Sequence, residues 1–391
     1  MTANQLQQLL TPAGQRLLQR ASELHLTPAT TLQCISALRK QSLADLAAIA
    51  VEQGLLREKA KKKFPQAELM YFKRELLEMA TGAAVANYRA RRMQGYATVI
   101  DGCCGLGGDA IALASHGCTV RAWDTDPLAV ELCRANAAAL GLAHRISTEI
   151  ADVTTTPWPT GVAVFLDPAR RGVGGRQLRV VQYQPNPLEL QSRSPPDTPL
   201  AIKLAPGLHV EDVADVPGEL EFIGVEGELK EAVLWCGPLA TARRRATLIE
   251  DKCIHTLTGS ANDEPPDLGG VRAYLLDPAS AAVRAGLVPQ LAASWNAVQI
   301  DARVQLLTTD VVTRSPWVDC YRVLSRVKAD LRALQAQLLQ LDIGTVTWVN
   351  RGSLLDVSAI QKKLRGTGPR SVHIFLTREL GEQVAIIATP C

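Results

Sequence analysis

The sequence predicts an α/β protein in which a mostly parallel sheet is covered by helices, with a helical region before it and a small α+β domain after it. Three observations carry this prediction. Residues 6–60 place apolar side chains at helical spacing with few breakers, as in LLQRASELHL and ISALRKQSLADLAAIAVEQGLLREKAKKKF. From Ala97 onward, short apolar strands alternate with helical stretches, the pattern of a sheet built from crossover units. GSANDEPPDLGG, residues 259–270, is a run of Gly, Pro, Asp and Asn with the character of a linker, and helix and strand patterns resume beyond it.

Taken in order, ELMYFKRELLEMATGAAVANYRARRM, residues 68–93, extends the helical pattern to the edge of the sheet. The alternation then runs through the strand TVIDGCC, the helix DAIALASHG, the strand CTVRAWDTD, the helix PLAVELCRANAAALG, and the strands ISTEIADV and VAVFLDPA. After a polar loop containing Pro195-Pro196 comes LAIKLAPG, and ELEFIGVEGELKEAVLWCG reads as a hairpin turning at Glu226-Gly227 that adds antiparallel edge strands. Further on, LRALQAQLLQLDIGTVTWVN reads as helix then strand, and SVHIFLTREL with QVAIIATP as paired strands. The expected division is a helical region over residues 1–70, the sheet domain over 71–260 and the α+β domain over 271–391.

Composition narrows the function classes. Lys and Arg total 42 against 39 Asp and Glu, so the net charge of +3 implies no polyanion-binding tail, and any nucleic-acid surface must be local. Nine cysteines without a CxxC, two of them vicinal at Cys103-Cys104, do not form a disulfide framework. Six histidines without paired ligand spacing give no metal site, so none is expected. With neither a basic leader followed by an apolar stretch nor 18 unbroken apolar residues, the expectation is a soluble cytoplasmic protein with reduced thiols and no membrane partner.

The chemistry concentrates in VIDGCCGLGGDAIALA, residues 99–114, where a strand runs through a glycine-rich turn into a helix. Glycine lets backbone approach a ligand because it has no Cβ. Gly102, Gly105, Gly107 and Gly108 give GxxGxGG rather than the GxGxxG of nicotinamide sites. Asp101, at the strand end, would repel a pyrophosphate yet suits a ligand bearing a cationic amino-acid group. About 20 residues after the turn, Asp124 ends the next strand where a carboxylate accepts from ribose hydroxyls. Asp152 ends the third strand, where an acid can accept from an adenine amino group. FLDPARRG ends the fourth, at the carboxyl end of the sheet where α/β folds place their chemistry. A nucleoside ligand follows. Cys103 and Cys104 read as small core-facing residues, Asp126 before Pro127 as a helix cap, and EKAKKKF, residues 58–64, as a solvated helix face. Arg170 and Arg171 are equally suited to ion-pairing within the fold and to holding phosphate.

The run 99–114, with WDTDPLAVELCRANAAALG, ADV and VFLDPARR, resembles the class I S-adenosylmethionine-dependent methyltransferases, in particular the trimethylguanosine-synthase-like group with a THUMP-like C-terminal domain. YLLDPASAAVRAGLV and RSVHIFLTREL resemble that domain. The resemblance implies a Rossmann-like methyltransferase sheet, S-adenosyl-L-methionine as cofactor, and direct methyl transfer without a metal. By position, Asp101, Gly105 and Gly107 would hold the methionine part, Asp124 the ribose and Asp152 the adenine. Gly102, Cys103, Asp109, Thr125 and Val153 complete the implied cofactor set. Asp167, Pro168 and Arg170 would face the methyl acceptor. Amino-methylating relatives carry [N/D/S]-P-P-[Y/W/F], whereas this chain reads Asp167-Pro168-Ala169-Arg170. The 5-methyluridine enzymes use a cysteine after the next strand, where this chain has IKLAPGL, with Lys203 and no cysteine. Structured RNA, not DNA, is the implied partner, with Lys362, Lys363, Arg365 and Arg370 of KKLRGTGPR as the expected contacts. Two alternatives stay open: a non-catalytic module binding cofactor and RNA, and a methyltransferase acting on a protein or small molecule. A nicotinamide-dependent oxidoreductase is disfavoured by the glycine spacing. Oligomeric state is not legible.

Overall fold

The computed structural model describes residues 1–391 except positions 28, 40–43, 170, 173–174, 177–178, 252, 261–262 and 365. The chain divides into two compact units, Met1–Glu219 with Glu231–Thr241, and Leu220–Lys230 with Ala242–Cys391.

The first unit opens with α1 (Ala3–Leu10), α2 (Pro12–Glu23), α3 (Thr31–Arg39), α4 (Ala44–Ala60), α5 (Arg74–Met79) and α6 (Ala83–Met93). Thr2 and Thr11 cap the first two, each hydroxyl oxygen accepting a backbone N–H that the first helical turn cannot satisfy. The expected alternation follows as β1 (Thr98–Gly102), α7 (Gly108–Ser115), β2 (Thr119–Asp124), α8 (Pro127–Ala139), β3 (Ile146–Ile150) and β4 (Ala163–Leu166). Asp126 caps α8 as expected, accepting from the Leu128 N–H at 2.9 Å with Pro127 at the first helical position. A short pair, β5 (Arg171–Gly172) and β6 (Gly175–Arg176), precedes α9 (Pro187–Arg193) and β7 (Leu200–Leu204). The expected hairpin is β8 (Glu219–Val225) and β9 (Glu228–Cys236), joined through Glu226 and Gly227 at φ of 48° and 77°. In the first unit the strands run β3-β2-β1-β4-β7-β9, parallel through β7 and antiparallel at β9. The chain builds outward from β1 through β2 and β3, then returns to lay β4 on the other side of β1. That reversal is a topological switch point, where open α/β sheets take their ligands.

The N-terminal helices do not own a separate core. Leu6, Leu17, Ala47 and Leu56 are buried in one cluster with Phe64, Phe72, Leu106, Leu128 and Leu132. The helix expected over residues 68–93 is interrupted, and Tyr71 and Phe72 lie outside any helix. Two buried amides explain the break. Gln53 donates to the Phe72 carbonyl at 2.6 Å and accepts from its N–H at 2.9 Å. Asn136 accepts from the Tyr71 N–H at 2.7 Å and donates to the carbonyls of Tyr71 at 3.1 Å and Leu106 at 2.9 Å. Backbone groups so engaged cannot enter a helical ladder, and tertiary pairing overrides local propensity.

In the second unit, β10 (Arg244–Glu250) runs parallel to β8 and β11 (Cys253–Gly259) antiparallel to β10. These strands precede the 259–270 stretch yet group with the C-terminal residues. The remaining elements are β12 (Tyr274–Pro278), α10 (Ser280–Ala285), α11 (Val288–Ser294), β13 (Val298–Asp301), β14 (Val304–Thr309), β15 (Val318–Lys328), α12 (Leu331–Gln340), β16 (Ile343–Asn350), α13 (Val357–Lys363), β17 (Arg370–Glu379) and β18 (Glu382–Pro390). The grouping follows from α10, which packs on β10. Their sheet is ordered β13-β14-β12-β15-β18-β17-β16, and β17 pairs antiparallel with β18 as expected. No helix among the described residues is long and apolar enough to cross a membrane.

Replacing Asn136 by Leu keeps a side chain of similar reach but leaves the Tyr71 N–H and two carbonyls buried without partners. Each such group costs about 1–3 kcal/mol. Urea unfolding followed by circular dichroism should therefore show a loss of at least about 2 kcal/mol, and an unchanged midpoint would remove the amide from the account.

Candidate active site

A cleft of about 450 Å³ opens beyond the carboxyl ends of β1, β2 and β4, at the switch point. Its floor is the turn from Cys103 to Gly108, in which Cys103, Gly105 and Gly107 take φ of 65°, 55° and 88°. Gly107 has a packing reason to be glycine: a Cβ there would lie 2.7 Å from Cys133 Sγ and 3.2 Å from its Cα, on α8. Gly105 has a different one. A Cβ on it would meet nothing nearer than Leu76 Cδ1's partner methyl, Cδ2, at 4.0 Å, so the space beside it is the cleft. Gly102 is not a lining residue, and its Cβ would sit 2.8 Å from both Val153 Cγ1 and Leu166 Cδ2.

Asp124 organises this floor. Its Oδ2 accepts from the Gly105 N–H at 2.9 Å and its Oδ1 from the Asp126 N–H at 2.9 Å. Burial pushes its carboxyl above the usual aspartate range, and these N–H donors oppose the shift. Thr125 and Val153 line the cleft beside it. Asp152 is exposed at the far end, with Oδ1 accepting from the Thr154 hydroxyl at 2.6 Å and the Thr154 N–H at 2.8 Å. Those bonds hold its carboxyl below the usual range.

Beneath the floor lies a set of buried charges. Asp101 does not line the cleft: it is 1% exposed, and neither carboxyl oxygen has a hydrogen-bond partner among the described residues. Burial, reinforced by Asp109, Cys133 and Asp167, pushes its carboxyl well above the usual range. Asp109, in the first turn of α7, lines the cleft and pairs with Arg89 of α6. Arg89 also pairs with Glu231 of β9 and stacks on Phe165, 4.6 Å from the ring centroid. Burial works against the Arg89 charge, but Asp109, Glu231 and Asp167 outweigh it and raise its pKa. Burial likewise pushes Glu231 up, against the pull of Arg89 and Lys203.

Asp167, just after β4, accepts from the Lys203 ammonium at 2.5 Å, and Lys203 is 3% exposed within β7. Pro168 and Ala169 continue the lining, and Ala169 exchanges backbone hydrogen bonds of 2.9 and 3.1 Å with Gln184. Arg170 and Arg365, and the side chains of Lys362 and Lys363, lie outside the described residues. Arg370 is exposed at the start of β17. Of the vicinal cysteines, Cys104 is buried as expected, whereas Cys103 is half-buried, and both line the cleft.

Sequence reasoning missed Arg89, Glu231 and the role of Lys203. Only Lys203 carries a local signal, as a lysine inside the apolar run LAIKLAPG. It also missed residues 76–81, which line the cleft opposite the sheet, among them Thr81, whose buried hydroxyl oxygen has no hydrogen-bond partner among the described residues. The described lining carries Glu78, Asp109, Asp124, Asp152 and Asp167 but no lysine or arginine. Such a field favours a cationic ligand and opposes a diphosphate.

The family described as RNA cap guanine-N2 methyltransferase matches residues 96–196, a THUMP domain-like family matches 318–390, and a domain of unknown function matches 2–60. Two uncharacterized S-adenosylmethionine-dependent methyltransferases of Mycobacterium tuberculosis, from strains CDC 1551 and H37Rv, are each 33% identical over 349 residues, spanning 85% of this chain and 93% of theirs. The chain belongs to the S-adenosylmethionine-dependent methyltransferases. A crystal structure from Porphyromonas gingivalis W83, described as that of a methyltransferase, shares the fold at a TM-score of 0.75 and 18% identity, covering 96% of this chain and 98% of that one.

This methyltransferase has a cleft that fits its cofactor. The acidic lining suits a sulfonium and an amino group, the open side of Gly105 leaves room against the backbone, and the Thr81 hydroxyl, without a partner among the described residues, offers a hydrogen bond.

The buried Asp101 sets a pH dependence. Its folded pKa lies above its unfolded one, so folding takes up a proton between the two, and stability is lost as pH rises through that window. Relative to Asp101→Asn, the wild type should lose up to about 1.4 kcal/mol of stability per pH unit above the ordinary aspartate range. Parallel stability curves for the two proteins would show that Asp101 ionises normally.

Proposed function

We propose that this methyltransferase binds S-adenosylmethionine in the cleft at the β1/β4 switch point and transfers its methyl group directly to an acceptor in structured RNA. The observation that carries the cofactor assignment is Asp124, fixed by two backbone N–H donors at the end of β2 and facing a cleft lined by carboxylates. In this assignment Asp124 takes the ribose hydroxyls, Asp152 and Val153 the adenine, and the Cys103–Gly107 turn with Asp109 the methionine end. The RNA assignment is supported by the cap-guanine family match over 96–196 and the THUMP-like match over 318–390. A cytoplasmic setting goes with it.

When bound, S-adenosylmethionine supplies a methyl group on a sulfonium leaving group. What remains for the protein is alignment and desolvation of the acceptor. Asp167 does this as a hydrogen-bond acceptor. Its ion pair with the buried Lys203 restricts where the carboxylate points, so it is placed to orient the incoming group. Pro168 and Ala169, tied to Gln184, keep the adjoining backbone in place. No aromatic ring follows Pro168, in contrast to relatives that stack an extruded base at that position.

Two measurements test these roles. Asp124→Ala should weaken binding by about 1.5–3 kcal/mol, the worth of hydrogen bonds to a charged group. Titration calorimetry showing equal affinity for wild type and variant would refute the ribose assignment. Asp167→Asn should retain cofactor affinity while losing methyl transfer to RNA by at least about tenfold. Methylation of total RNA by the wild type, measured with a labelled methyl group, is the control. Its absence with every RNA fraction, despite tight cofactor binding, would favour a non-catalytic module.

A further inference from the structure

The helical region, which a domain of unknown function matches over residues 2–60, ends beside the cleft, and the side chains just after it reach into the cleft's construction. Lys63, three residues beyond α4, donates from its ammonium to the carbonyls of Leu77 at 2.8 Å, Glu78 at 3.0 Å and Ala80 at 2.7 Å. Its own carbonyl accepts from the Ala83 N–H at 2.7 Å. The side chain and backbone of one residue therefore grip both ends of residues 77–83, the segment that closes α5 and opens α6. An ammonium here satisfies carbonyls that a helix C-terminus leaves orphaned and complements its partial negative charge. This segment contains the lining residues Glu78, Met79, Ala80 and Thr81. Next to Lys63, Phe64 packs on the glycine turn so closely that a Cβ on Gly108 would lie 3.3 Å from its ring. One residue pair at the end of the N-terminal helices thus contacts both the floor of the cleft and its opposite wall.

We infer that the N-terminal helical region serves to build the cofactor cleft, with Lys63 as the positioning residue that holds the wall formed by residues 76–81. EKAKKKF, read from sequence as a solvated helix face, is therefore divided in use. Lys61 pairs with Glu58 on the exposed surface, whereas Lys63 turns inward to the carbonyls. Gln53, on α4, holds the chain ahead of this segment through Phe72. The inference rests on the assignment of this cleft to S-adenosylmethionine.

The test uses the full chain and S-adenosylhomocysteine as the probe. Lys63→Met should bind it about tenfold more weakly, since charge-assisted hydrogen bonds that shape the wall are lost. Lys63→Arg, which keeps the charge and several donors, should recover most of that affinity. A purely global destabilisation would not discriminate between the two in this way at a temperature where both are folded. Hydrogen exchange gives an independent readout on the wild type: saturating probe should slow exchange across residues 76–83, and Lys63→Met should exchange faster there without ligand. Wild-type affinity in Lys63→Met, or no protection of residues 76–83 by the probe, overturns the inference. Failure of the wild type to bind at all overturns the cofactor assignment along with it.

Discussion

The close seating of the glycine turn on α8 is the constraint from which the rest of the active unit follows. Gly107 rests against Cys133, with no room for a Cβ, and Asn136 one turn further along α8 bonds the Leu106 carbonyl. That contact fixes where α7 begins and therefore where Asp109 stands. The Gly105 N–H is likewise set in place to donate to Asp124. Asn136 holds Tyr71 with the same side chain, so the position of the turn is passed directly to the segment arriving from the N-terminal helices. The floor and the chain at Tyr71 that leads to the wall are consequently tied by one buried amide, and a shift of either would leave polar groups unpaired in an apolar interior.

Electrostatics divides the unit into two layers. Above the turn, exposed or partly exposed carboxylates make an acidic cleft. Below it, Arg89 and Lys203 are buried and matched to Glu231, Asp109 and Asp167. Burying such charges gains little net stability, yet each partner removed would leave an uncompensated charge, so these pairs hold geometry more than they hold the fold. Asp109 and Asp167 belong to both layers. Each presents a carboxylate to the cleft while a buried cation restricts where it can point, an arrangement suited to alignment chemistry in which small displacements cost rate.

The second unit contains a seven-stranded sheet. In that sheet the β17–β18 pair lies inside the edge strand β16, and Phe375, Ile386 and Leu275 are buried in one cluster.

The sequence by itself determined the strand–helix alternation that builds the sheet and the positions of the acidic residues along it, but not the strand order, in which the hairpin expected at the edge lies inside. Apolar strands alternating with helices specify parallel pairing, and Asp101, Asp124, Asp152 and Asp167 stand at strand ends because each follows a short apolar run. The glycine spacing and the Asp126-Pro127 cap were legible for the same reason: each depends on residues adjacent in the chain. The tertiary structure alone decided what those acids face. Asp101 and Asp124 look alike in sequence, yet one is buried with no hydrogen-bond partner among the described residues and the other is fixed by two backbone donors. The pairs that build the surroundings of the cleft join residues 142 apart in Arg89 and Glu231, 36 in Lys203 and Asp167, and 65 in Tyr71 and Asn136. Periodicity reports which face of an element is buried, but it says nothing about which distant element will cover that face, and burial beside a particular partner is what sets a charge, breaks a helix at Tyr71 and Phe72, or turns Lys63 inward.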